Sequence, residues 1–98
     1  MRKIAAMLAK HVFYEGRVQG VGFRYMARHL AKGYDVIGWV RNLPDGRVEL
    51  LVGGQSEEVA GFLDAIVESE LAGFIKNQQV HSVDASAVVG LNGFSIQP

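Results

Sequence analysis

Apolar and polar residues alternate from His11 to Arg17, with Val12 and Tyr14 on one side and His11, Phe13 and Glu15 on the other. That is the pattern of a half-buried strand, and Val12 and Tyr14 are its expected core face. Past Gly22 the period changes. Phe23, Met26, Ala27, Leu30 and Ala31 recur at helical spacing, which predicts a helix over about 23–32 with Arg28, His29 and Lys32 toward water. Its end is expected at Gly33-Tyr34-Asp35, since aspartate is among the few residues that tolerate a left-handed cap. Val36 to Asn42 and Val48 to Val52 read as two strands joined through the turn residues Pro44-Asp45-Gly46-Arg47, a hairpin. Gly53-Gly54-Gln55 is read as a loop and Ser56 as the N-cap of a second helix. Glu57 and Glu58 suit the dipole of its first turn, and Val59, Phe62, Leu63, Ile66 and Val67 form its apolar stripe, through about Leu71. Residues 72–79 are read as an irregular connection, 80–89 as a fourth strand and Phe94–Ile96 as a short closing strand. The order β-α-β-β-α-β predicts an α+β, ferredoxin-like split βαβ sandwich: one antiparallel sheet with both helices packed on one face.

Composition narrows the class. Ninety-eight residues with 49% hydrophobic content suit one domain over 1–98, with residues 1–9 as an N-terminal extension expected to be poorly ordered. The absence of cysteine excludes disulfides and thiolate metal sites. The apolar run Ile4 to Ala9 is too short for a secretory h-region or a membrane span, so a cytoplasmic protein without a membrane partner is expected. Net charge is zero but divided. Residues 1–49 hold nine Lys and Arg against four acids, whereas 50–98 hold only Lys76 against six. A basic half beside a neutral total favours a small anionic ligand over nucleic acid.

The candidate chemistry sits where the period changes. Gly16, Gly20 and Gly22 connect the first strand to the first helix. Glycine permits left-handed backbone, so successive N–H groups can converge, and a helix N-terminus adds further donors aimed the same way. Arg24 stands in the first turn of that helix, where the dipole disfavours a cation and a bound phosphate would offset the conflict. From glycine spacing alone, an anion cradle and a purely structural turn fit equally well. Segment 16–22 reads G-x-x-x-G-x-G, which matches neither nucleotide-binding glycine pattern.

Gly-Arg-Val-Gln-Gly-Val-Gly-Phe-Arg at 16–24, Gly-Trp-Val-Arg-Asn at 38–42 and Asp-Gly-Arg-Val-Glu at 45–49 together resemble the acylphosphatase family, in its order and at its spacing. The resemblance implies the same fold and a cofactor-free, metal-independent hydrolase. Its substrate would be a small acyl phosphate, cleaved to a carboxylate and inorganic phosphate. Arg24 is then the residue that binds the phosphoryl group and Asn42 the one that orients the attacking water. Arg17, Val18, Gln19, Gly20, Val21, Gly22 and Phe23 are the expected substrate-binding segment. An amide suits Asn42's role because it both donates and accepts without titrating. Loop N–H groups with Arg24 would stabilise charge on the equatorial oxygens. A carboxylate leaves without protonation, so no general acid is called for. Relatives usually carry glycine at the position of Asp35 and a Gly-Pro pair after the second helix, which points to a different path for 72–79.

Other residues read as structural. His11, His29 and His81 have no metal-ligand spacing, Arg17 and Arg41 are expected as solvated sheet residues, and Glu57 and Glu58 as helix-start residues. Trp39 is expected to be buried against the helices, with a stacking surface on the open sheet face as the other fate of Trp39 and Phe13. Two alternatives are carried: an RNA-binding module on that face, for which an RNP1-like run is missing, and a phosphate- or carbamoyl-phosphate-binding module. A monomer is expected.

Overall fold

In the computed structural model, which describes residues 7–98, the alternating segment becomes β1 (Leu8–Gly16), an interior strand of the sheet. It is followed by α1 (Phe23–Ala31), β2 (Val36–Asn42), β3 (Val48–Gly54), α2 (Ser56–Val67), β4 (Ile75–Val83) and β5 (Phe94–Ile96). The strands lie in the order β4-β1-β3-β2-β5. Neighbours among the first four pair antiparallel, as expected, but β5 runs parallel to β2, so the sheet is mixed. Residues 1–6 of the anticipated N-terminal extension lie outside the described residues; Leu8 and Ala9 already belong to β1.

Both helices cover one face. Val12 and Tyr14 are completely buried there, with Val40, Val48, Leu50 and Val52 from the neighbouring strands. Against them pack Phe23, Ala27 and Ala31 of α1 and Val59, Phe62 and Ile66 of α2, the stripes that helical spacing marked. Tyr14 meets Phe23 at 4.8 Å between ring centroids, and Phe62 meets Phe94 edge-on at 5.2 Å. Each such ring contributes about 1.5–3 kcal/mol by leaving water. The other face is covered only in part, where the segment after β4 brings Val88 onto Ala9 and Leu51.

That second cluster overturns the expectation for Trp39. Val36, Gly38 and Val40 point to the helices, so strand alternation sends Trp39 to the opposite face, beside Ile37 and Leu91. Gly53 and Gly54 are strand rather than loop. A Cβ on Gly53 would stand 2.5 Å from a methyl of Val88, so glycine is what lets the covering segment approach.

Other boundaries moved for local reasons. The N-cap of α2 is Gln55, with Ser56 already helical, because the Gln55 carbonyl accepts the first helical bond from the Val59 N–H at 3.0 Å. This helix ends at Val67; Leu71 is buried in a short 3₁₀ turn, Glu70–Phe74, capped by the Ser69 hydroxyl. Asp35 is not left-handed. Helix α1 closes instead by tight turns, Gly33 N–H to Leu30 O and Tyr34 N–H to Ala31 O, while the Asp35 N–H donates to Glu58 at 2.7 Å. The fourth strand occupies 75–83 rather than 80–89, and Ala85–Val88 is a second 3₁₀ turn.

One carboxylate is buried in the sheet. Glu49 of β3 keeps 7% of its surface and sits between His11 and Arg41 on the uncovered face. The Arg41 Nε donates to Oε1 at 2.6 Å, and His11 Nε2 lies 2.6 Å from Oε2. Arg41, expected to be solvated, is thus ion-paired and also stacks over Trp39 at 4.9 Å. Burial opposes charging Glu49, but these two hydrogen bonds and charges outweigh it and hold its carboxyl below the usual range. A carboxyl lowered in the folded state adds stability above its unfolded pKa of about 4.3 and loses it as pH falls through the folded value. Thermal unfolding of Glu49→Gln against the original protein is therefore expected to show a gap at pH 7 that closes below about pH 4.3. A gap independent of pH would remove this account. Phe62→Ala, which opens a cavity at the helix–sheet seam, is expected to cost about 3–5 kcal/mol in a urea titration.

Candidate active site

Loop 17–22 leaves β1 and enters α1 with its middle nailed down. Val18 is completely buried, between exposed Arg17 and exposed Gln19. Gly20 (φ 77°) and Gly22 (φ 81°) then take left-handed backbone in open space, which side chains other than glycine adopt only under strain. Gly22 caps α1 without a side chain to bond the first-turn N–H groups, and no acid stands in that turn. The free donors and the positive end of the helix therefore face outward together.

They face a cavity of about 210 Å³ lined by Val18, Gly20, Gly22, Phe23, Arg24, Tyr25 and Asn42. Arg24 and Asn42, from α1 and the end of β2, thus share one hollow although β1, which leads into α1, and β2 are not neighbours in the sheet. Among the described residues, the three ion pairs are His11–Glu49, Arg41–Glu49 and Arg47–Asp45, and none involves Arg24. A half-buried guanidinium with no carboxylate partner among the described residues, beside a glycine loop and a helix N-terminus, has the chemistry that an anion would satisfy.

The predicted substrate segment is not brought to the cavity as a whole. Phe23 lines it but spends its ring on the core, and Val21 packs inward. Arg17 stays outside; its N–H donates to the Phe74 carbonyl at 3.0 Å and is no free donor. Gln19 turns its amide away, to the backbone of the β2–β3 turn. Sequence reasoning missed Tyr25, 62% exposed on the cavity wall; its place directly after Arg24 in the first helical turn was the available signal. His11 and His81 stand opposite each other across β1 and β4, His29 lies on α1, and among the described residues no three of His, Asp or Glu form a group that could hold a metal.

The family model for acylphosphatases matches residues 10–96. An acylphosphatase of Bacillus velezensis is 48% identical over 60 residues, covering 61% of this chain and 67% of that one. The acylphosphatase of Bacillus subtilis is 36% identical over 90 residues, covering 92% and 97%. The crystal structure of an acylphosphatase from Bacillus subtilis superposes with a TM-score of 0.82 at 33% identity, covering 93% of this chain and 99% of that one. With fold, length and motif blocks in agreement, the chain belongs to the acylphosphatase family of hydrolases.

Proposed function

We propose that the cavity between Arg24 and Asn42 carries out hydrolysis of small acyl phosphates by direct attack of water. The observation that carries this reading is Arg24 itself, a cation without a carboxylate partner among the described residues, in one hollow with glycine-loop donors and Asn42. The guanidinium and the N–H groups around Gly20 and Gly22 hold the phosphoryl oxygens and stabilise the charge that gathers on them in the transition state. Asn42 accepts from and donates to a water, keeping it in line with the bond to be broken. The water oxygen bonds to phosphorus, and the phosphorus–acyl oxygen bond breaks with its electron pair leaving on the carboxylate. The water's proton passes to a phosphoryl oxygen, so the products are a carboxylate and inorganic phosphate. This scheme uses only the chain's own residues and the substrate, without a cofactor or metal.

Several features support the setting. A cysteine-free sequence suits the reducing cytoplasm. No described helix is long and apolar enough to cross a membrane. On the uncovered sheet face, Arg41 stacks over Trp39 and Arg47 over Phe13 at 4.6 Å, so the rings that would stack bases are already occupied. That favours a small-molecule substrate over a nucleic-acid strand.

Hydrolysis of benzoyl phosphate, followed by ultraviolet absorbance with EDTA present, tests the proposal. Arg24→Ala is expected to lower kcat/KM by about 10²–10³-fold and to weaken inhibition by inorganic phosphate, since it removes the charge that binds the anion. Asn42→Ala is expected to lower kcat by about 10²-fold or more while leaving phosphate inhibition within about threefold. Near-normal turnover in Asn42→Ala would end the water-orienting role. Folded wild-type protein that hydrolyses nothing yet binds phosphate would make the site a binding module instead.

A further inference from the structure

Gln19 lies inside the phosphate loop but spends its side chain elsewhere. Its Nε2 donates to the Leu43 carbonyl at 2.7 Å and to the Arg47 carbonyl at 3.0 Å. Those two carbonyls close the β2–β3 turn: Leu43 N–H donates to Arg47 O at 2.8 Å, and Gly46 N–H donates to Leu43 O at 3.1 Å. Both protons of one amide are thereby committed to the two residues at the base of the turn. Leu43 is the residue directly after Asn42.

The topology makes this bridge consequential. Arg24 and the loop follow from β1, whereas Asn42 ends β2, and β3 separates those two strands. No ladder joins β1 to β2 directly; the two are registered only through Val48 of β3, opposite both Tyr14 and Asn42, and that register stops short of the loop. Gln19 crosses that gap by side chain, from the loop to the residue beside Asn42. Asp45 braces the turn from the far side, accepting from the Arg47 N–H at 3.0 Å and from its Nε at 2.8 Å. Gripped at both carbonyls and braced by Asp45, the turn has little freedom to drift from the loop.

We propose that Gln19 is a positioning residue for hydrolysis, holding Asn42 in register with the phosphate loop without touching the phosphoryl group. The inference rests on the reaction proposed above. It predicts a division that general loosening would not produce. Removing the bridge leaves Arg24 and the loop donors intact but lets the water drift out of line, and misplacement by about 1 Å can cost on the order of 10²-fold.

The test compares wild type, Gln19→Ala and Gln19→Glu by kcat, KM for benzoyl phosphate and inhibition by inorganic phosphate. Glutamate keeps the length but turns two donors into acceptors facing carbonyls, so at neutral pH it is expected to be at least as damaging as alanine. The expected result is a fall in kcat of about 10–50-fold with phosphate inhibition within about threefold, read against the ceiling just given. Unchanged kcat, or equal losses of kcat and phosphate affinity, would overturn the role. A second readout needs no turnover. In phosphate-saturated protein, the Asn42 side-chain amide resonance is expected to shift or broaden in Gln19→Ala while the Gly20 and Gly22 amides hold. The reverse pattern, or no change at Asn42, overturns the bridge. Should wild type fail to hydrolyse benzoyl phosphate, the proposed reaction falls, and the Asn42 resonance still decides whether Gln19 holds that residue.

Discussion

Everything functional here depends on burying Tyr14, Val18 and Phe23 around one short loop. Tyr14 precedes it, Phe23 follows it and Val18 lies within it, all three essentially removed from water. Ordering loop backbone costs about 1–2 kcal/mol per residue, and flexible glycines carry the larger share of that cost. The apolar anchors offset it from within the same segment, so the N–H donors can stand free without a side chain to hold them. Had the anchors been polar, the loop would have needed its own donors for internal bonds, and fewer would face the cavity.

Three arginines show how context assigns roles to one side chain. Arg41 is held by buried Glu49 and lies on Trp39. Arg47 is engaged by Asp45 and lies on Phe13. Arg24 has neither kind of partner among the described residues and opens into the cavity. The first two neutralise their charge within the fold, whereas the third has no counter-charge among the described residues. Asn42 stands at the seam between these regimes, next to a paired arginine in sequence and across a cavity from a free one.

Much of this was legible in the chain. The helical stripes, the core face of β1 and the limits of β2 follow directly from periodicity, because each has one clearly apolar face. Strand β4 was obscured for the converse reason. As an edge strand it exposes Lys76, Asn77, Gln79, His81 and Ser82, so alternation carries little signal. Trp39 was misassigned by weighing its size above its parity. With Val36 and Val40 on one face, the intervening odd positions had to lie on the other, and the same parity puts Asn42 on the helix side. The Gln19 bridge was out of reach, since it joins residues 24 and 28 positions apart across strands whose adjacency no local pattern specifies.

The pairing of β1 also dictates when the site can exist. Its two neighbours are β3 and β4, and the loop's first N–H is anchored on Phe74, just ahead of β4. A chain emerging from the ribosome has every lining residue of the cavity once position 42 is out, yet the strand that flanks the loop's origin is still unmade. Contacts of such long sequence separation form late and slowly. The loop's surroundings are therefore complete only once β4 has paired with β1, after every lining residue of the cavity is already present.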